Sequence, residues 1–558
     1  MGLARSDVAR KTTSLIGVES GWPLLQLLMS LALFAPVLAL VVTAFGDTGG
    51  IMGHLVDTVL GRYLTTTVQL MAGVALVALV FGVSSAWLVS RYDFPLRGAL
   101  EWMLVLPAAV PAYIIAYTYT DFLEYAGPVQ TAIRHLFGYT TSRQYYFPEI
   151  RSLGGAMLVM GAVLYPYVYV ATRTAFRLTS TRLFEAARLA GGNIFTTIAL
   201  PLARPAIVAG LALVMMEVVS DFGTVEYFAL DTLTLGIFNV WLGMGNMAAA
   251  ARIALLAFVL VVALLGLERW ARSGRNIANE GRGQTGVPQI KVTGWRGTGL
   301  MVLGLIPIAL GFVIPVAVLS GFVLSGLGAG APEGTFAAIK NTVLVAGVSS
   351  LLIMVMAVVI GVIARYRAGR LGAVMAGVSS SGYAVPGTIL AIGVLGCVYG
   401  IDALARQLFG VAVFGLLTGS LVVLVFAYLV RFQAVGYGMV QAGLNRIPPN
   451  IMPASQVMGH GFVSSVTRVV LPLLRPSFLA GLLVAFVDIM KELPMTLLLS
   501  PFNFETLATI TYQYAKDEML EEAALPALMI VLAGLIPVVI INRSLSARRH
   551  SFEANRRK

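Results

Sequence analysis

Unbroken apolar stretches too long for a soluble core recur along the whole chain. Leu24–Thr43, Val68–Val89, Leu303–Val323 and the run from Leu421 onward each reach the ~18 residues needed to cross a bilayer core about 30 Å thick. A lipid-embedded segment must satisfy every backbone N–H and C=O internally, so such runs predict transmembrane α-helices. Only 11% of the 558 residues are charged, against about 25% in a soluble domain. The expected fold is an all-α membrane protein of about twelve helices. The lone Cys397 excludes an internal disulfide and a cysteine-based metal cage. The basic N-terminus "MGLARSDVARKTTSL" precedes a long apolar run without a short core and small-residue cleavage site, and is read as leading into a retained first helix.

Charge placement predicts orientation. With the N-terminus in the cytoplasm and helices alternating, most of the 38 Lys and Arg fall on the cytoplasmic side. They sit in Ser90–Arg97, the segment from Glu185, the polar linker, Ala364–Arg370, the segment from Pro453 and the C-terminal tail. This is the positive-inside asymmetry. Both termini are expected in the cytoplasm of a multi-pass protein of the cytoplasmic (inner) membrane. The net charge of +12 is spread over many loops, so no nucleic-acid partner is expected.

The chain repeats itself. "LPLARPAIVAG" (Leu200–Gly210) matches "LPLLRPSFLAG" (Leu471–Gly481), "SRY" (Ser90–Tyr92) matches "ARY" (Ala364–Tyr366), and "VPAYIIA" (Val110–Ala116) matches "VPGTILA" (Val385–Ala391). Order and spacing agree. The expected organisation is a first six-helix lobe at 1–268, a cytoplasmic linker at 269–296 and a second six-helix lobe at 297–558. Both lobes begin and end in the cytoplasm, so they are parallel repeats related by an axis along the membrane normal. That layout suits a transporter, while a channel or a membrane scaffold could share it.

Two basic, glycine-punctuated segments interrupt the grease at equivalent places, between the fourth and fifth helices of each half. "EAARLAGGNIFTTIALPLARP" (Glu185–Pro205) resembles the EAA loop of ABC importer permeases: EAA, three residues, Gly, nine residues, then I-x-L-P. Glu185, Ala186, Ala187 and Gly191 match, followed by Ile198, Leu200 and Pro201. Only six residues separate Gly191 from Ile198, which predicts a coupling helix or turn about one helical turn shorter. The second copy keeps nine residues between Gly459 and Val469, then Leu471 and Pro472. Pro453 replaces its Glu, and Ala454 and Ser455 replace the Ala pair. The resemblance implies a type I ABC importer permease fold and a short surface helix that plugs into an ATP-binding subunit, with two copies of that subunit as partners. The chain lacks G-x-x-x-x-G-K-[ST], so it is not expected to be an enzyme or to bind a cofactor. ATP and magnesium (Mg) belong to the partner ATPase. A secondary transporter, the rival class, would use an ion gradient and need no such loops.

Two apolar helices carry charge at depth. Glu217 and Asp488 stand at equal offsets from the aligned Pro205 and Pro476, and Asp221 and Glu492 follow four residues later. Carboxylates are costly in lipid and usually face a bundle interior or wet cavity. The four, tempered by Lys491, are expected to line a translocation path that favours a hard cation but holds no permanent metal. Local pairing of Asp488 with Lys491, and helix capping by the others, is the structural alternative. "SDFGTVEYF", "WLGMGN" (Trp241–Asn246), "KELPMTLLL" and "FETLATITYQYA" (Phe504–Ala515) look like the fused two-lobed permeases of bacterial ferric-iron ABC importers. That resemblance implies iron transport and an extracytoplasmic substrate-binding protein as partner. Thiamine, phosphonate, sulfate and molybdate permeases are similar and keep other cargoes open. The long aromatic loop Asp121–Arg151 is expected outside, as a docking surface or as an amphipathic cover on its own helices. The outer acidic run Asp517, Glu518, Glu521 and Glu522 reads as a docking surface or a solvated rim.

Overall fold

The computed structural model describes residues 21–189, 191–273, 287–326, 332 and 334–556. The basic segment before Gly21 and the middle of the linker lie outside the described residues. Among those described, eleven helices are long and apolar enough to cross a membrane. The pair Arg97–Ala109 and Ala112–Phe137, bent by 94°, is a broken span or a re-entrant loop. Counted as one span, it makes twelve, six from each sequence half. The bend falls where Pro111 lacks an N–H and pushes Val110 into extended backbone.

The helices group into two compact units that exchange elements between the sequence halves. One holds residues 1–47 with 337–506; the other holds 48–336 with 507–558. In the first unit, helix Gly21–Ala44 packs on Gly369–Ser379 and Gly387–Phe409 of the second half. The buried Gln26 amide donates to the Gly372 carbonyl there, at 2.7 Å. In the second unit, helix Ile314–Ser325 and the last helix, Leu520–Arg556, join the helices of the first half. Packing units therefore differ from the sequence lobes 1–268 and 297–558.

Close packing in the second unit depends on missing side chains. Helices Gly61–Arg91, Leu153–Leu178 and Leu200–Ser220 meet around Val168. A Cβ at Gly82 would lie 2.7 Å from Val168 Cβ, and one at Gly210 2.8 Å from Val168 Cα. Between membrane helices dispersion replaces the hydrophobic drive, so such backbone approaches carry the stability. The end of the linker is also tied to this unit. Ile290–Lys291 pairs in parallel with Tyr92–Asp93, and Val292 N–H donates to Asp93 O at 2.9 Å. Arg91 donates to the Pro288 carbonyl, and Arg97 to Gln289 Oε1 at 3.2 Å.

Candidate coupling loops and transport path

The first loop opens with helix Thr181–Leu189, which buries Phe184 and Ala187 and turns Glu185, Ala186 and Leu189 to solvent. Gly191 then takes a left-handed conformation (φ 71°). Its N–H donates to Arg188 O at 3.1 Å, and Gly192 N–H reaches back to Ala187 O at 3.0 Å. These two bonds form a Schellman end, which satisfies helix carbonyls at the cost of one left-handed residue. Asn193 Oδ1 accepts the Phe195 N–H at 2.9 Å and restarts the chain. Ile198 lies in a wide helical turn, Phe195–Ala199, that leads into Leu200–Ser220. Pro201 cannot donate to the preceding turn, and widening that turn relieves the clash with its ring.

The second loop repeats this geometry despite its altered letters. Helix Ile451–Val457 buries Met452 and Ser455 and exposes Pro453, Ala454 and Val457. Gly459 is left-handed (φ 88°), its N–H donates to Gln456 O at 3.0 Å, and His460 N–H donates to Ser455 O at 3.2 Å. Val469 sits in the matching wide turn, Val466–Val470, and Leu471 and Pro472 head the helix to Met490. Register is therefore Ala187 with Ser455 and Gly191 with Gly459.

The spacing difference lies after the glycine. The second copy carries an additional turn, Phe462–Ser465, where the first runs straight from Asn193 into its wide turn. Of the two places the spacing left open, the helix before the glycine is not the shortened part; the turn after it is. That helix spans nine residues in the first copy and seven in the second. The added turn also explains Ser455: its hydroxyl donates to Ser465 Oγ at 2.8 Å, both fully buried. Phe462 is held by the Trp22 ring at 5.2 Å and by the Arg367 guanidinium at 4.5 Å.

Each acidic pair divides by partner. Asp221 ends the helix Leu200–Ser220 and starts the short helix Gly223–Tyr227. Its Oδ1 accepts the Thr224 N–H at 2.8 Å and its Oδ2 the Thr224 hydroxyl at 3.0 Å. Glu492 stands at the corresponding break before Pro494–Leu499. It accepts the Met495 N–H at 3.2 Å and the Thr496 N–H and hydroxyl at 3.1 Å. Arg431 Nη1 lies 3.8 Å from Glu492 Oε1, and a Cβ at Gly387 would collide with both side chains. One turn earlier, Asp488 pairs with Lys491 at 2.9 Å, both partly exposed. Glu217 is half-buried and makes no hydrogen bond or ion pair to a described residue.

A cluster that the sequence reading passed over fastens the approach to the first loop. Buried Glu101, on helix Arg97–Met103, pairs with Arg173 and Arg177, and its carbonyl accepts the Tyr169 hydroxyl at 2.8 Å. Arg173 and Arg177 end the helix that feeds Thr181–Leu189. A lone Glu before an apolar run gives no sign of two arginines far along the chain.

Residues 357–551 match the family of binding-protein-dependent transport system inner membrane components. The Fe(3+)-transport system permease protein FbpB 2 of Haemophilus influenzae is 24% identical over 500 residues, covering 87% of this chain and 90% of the relative. The molybdenum transport system permease ModB of Escherichia coli K12 is 27% identical over 213 residues, 36% of this chain and 90% of the relative. A probable molybdenum ABC transporter permease of Haloferax volcanii is 30% identical over 207 residues, 35% of this chain and 71% of the relative.

Proposed function

Because the chain belongs to the binding-protein-dependent inner membrane components of ABC transport systems, we propose that this importer permease carries ferric iron into the cytoplasm. The full-length likeness to a fused Fe(3+) permease supports that cargo. The observation that carries the mechanism is the pair of Schellman-ended helices, with matching buried and exposed faces despite different sequences. Each presents apolar side chains to solvent beside its glycine: Leu189 is 90% exposed and Val457 88%. Such a face fits a groove on a soluble ATPase, and two such faces fit two ATPase subunits. Glu185 is exposed on the first helix and available for an ionic contact; Pro453 offers none on the second.

Force from the ATPase enters through these helices. The tight glycine end and the wide turn join each rigidly to a helix carrying an acidic pair, Leu200–Ser220 or Leu471–Met490. We assign the cation-attracting role to Glu217 and to the Asp488–Lys491 pair. Asp221 and Glu492 fix the helix breaks beyond them. A binding protein delivers cargo on the opposite face, and both termini lie in the cytoplasm.

Molybdenum permeases among the relatives favour a second reading, an oxyanion cargo that would use Lys491 and Arg431. Uptake into proteoliposomes containing the complete importer and its ATPase separates the two. Ferric iron uptake that molybdate does not compete supports the proposal. Molybdate uptake without iron uptake overturns the cargo, and ATP-independent uptake overturns the class.

A further inference from the structure

The outer ends of the two third helices share a motif that the coupling and path residues leave unexplained. "IRHLFG" (Ile133–Gly138) and "ARQLFG" (Ala405–Gly410) both read R-x-L-F-G. The first ends helix Pro128–Phe137, the last part of the bent pair. The second ends Gly387–Phe409, a straight crossing by length and composition. Both glycines are left-handed caps, with φ 69° at each. Both arginines are engaged close by in the chain. Arg134 donates to the Tyr125 carbonyl at 2.6 Å and lies 4.1 Å from that ring's centre. Arg406 pairs with Asp402 at 2.7 Å.

The apolar pair between Arg and Gly is exposed in each case. Leu136 and Phe137 are 79% and 63% exposed; Leu408 and Phe409 are 63% and 76% exposed. Around the first pair two polar side chains are satisfied within the loop. Gln130 and Arg134 bond inward to Tyr145, the Leu123 carbonyl and Thr131, while Tyr146 faces out. Phe137 stacks on Tyr139, and Tyr139 on Tyr145, with ring centres 5.9 and 5.4 Å apart.

We infer that the two Leu–Phe pairs are anchors seated in the outer leaflet, at the boundary between phospholipid headgroups and acyl chains. Leu408 and Phe409 close a membrane-crossing helix, so lipid is continuous with the surface they display. The repeat gives Leu136 and Phe137 the same station in their own half. Aromatic side chains concentrate at that depth, and exposed His135 and Arg143 suit nearby phosphates. Identical motifs in both halves fit a surrounding leaflet, which meets the two alike. A single binding protein would meet them differently. The side of the membrane rests on the topology proposed above.

Nitroxide labels test this in the full importer, in nanodiscs of phosphatidylethanolamine and phosphatidylglycerol. Cys397→Ser removes the native thiol, and single Leu136→Cys, Phe137→Cys, Leu408→Cys, Phe409→Cys and Arg143→Cys variants carry the label. Spin-relaxation should favour dissolved oxygen over a water-soluble nickel chelate at the four Leu–Phe positions, and shift toward the chelate at Arg143. Chelate-dominated relaxation at both pairs overturns the inference. So does protection that appears only when binding protein is added. An impermeant thiol reagent, applied to right-side-out vesicles, checks the topology separately. Oxygen-dominated positions whose unlabelled thiol the reagent reaches only in inside-out vesicles would reverse the topology and leave the lipid contact standing.

Discussion

Asp221 and Glu492 occupy equivalent positions, yet their surroundings give substitution different consequences. Asp221 accepts two hydrogen bonds from Thr224, a role that Asn fills nearly as well as Asp. Asp221→Asn should therefore keep transport near wild type, whereas Asp221→Ala should lose about 1 kcal/mol of stability along with transport rate. If Asn abolishes uptake while the melting temperature holds, Asp221 is a charge in the path and its capping role is incidental. Glu492 has a second duty toward Arg431. Glu492→Gln strands a largely buried guanidinium, at a cost of about 3 kcal/mol or more. Thermal unfolding in detergent should show that loss, and Arg431→Met in the same chain should recover most of it. The equal offsets of these carboxylates from Pro205 and Pro476 were legible in the sequence, and so was the Asp488–Lys491 pairing as an alternative. Their capping role was signalled more faintly, by Gly223 and Pro494 just beyond them. Arg431 gave no signal, because its partner is 61 positions away along the chain and only folding brings them together.

The two surface helices show how far a motif can drift while its geometry persists. What both copies retain is a small residue facing inward and a glycine four positions later: Ala187 with Gly191, Ser455 with Gly459. The left-handed turn costs a side-chain-bearing residue about 1–2 kcal/mol. Gly191→Ala and Gly459→Ala should each loosen the loop and lower ATP-coupled transport, more than the neighbouring Gly192→Ala does. Comparable transport from all three would show that the turns are not transmitting force. The Ser455–Ser465 bond belongs to the second copy alone. Ser455→Ala should cost about 1 kcal/mol by leaving Ser465 short of a partner, while Ala187→Ser should gain nothing, since Ile194 stands where Ser465 would be. The sequence located both loops and the three residues missing from the first. It placed the difference after the glycine but not its form, an added helical turn, because helix boundaries there are set by caps and by Trp22 and Arg367, which hold Phe462 from elsewhere in the unit.

At the scale of the whole chain, the repeat is a property of the sequence and the packing units are not. The helix Gly21–Ala44 sits with residues 337–506, and Gly294–Ser325 with residues 48–336. Hydropathy could not reveal this exchange: these helices are apolar nearly all round, and the polar pair Gln26 and Ser30 marks a buried face without saying which neighbour covers it. Contacts decide instead, such as Gln26 on the Gly372 carbonyl and Gly304 against Leu88 and Leu100. A chain cut within 274–286 should consequently behave as one protein. Each fragment keeps its own strand of the Tyr92–Asp93 and Ile290–Lys291 pair, and each gives its first helix to a unit built mainly from the other. Co-expressed fragments should co-purify through detergent on a tag carried by either one and should support transport. Expressed alone, each should be degraded or aggregate, because the surfaces that bury the exchanged helix are missing. If instead each fragment purifies alone as a monodisperse six-helix body, and mixing the two restores no complex, then the halves are the folding units and the exchange of first helices is wrong.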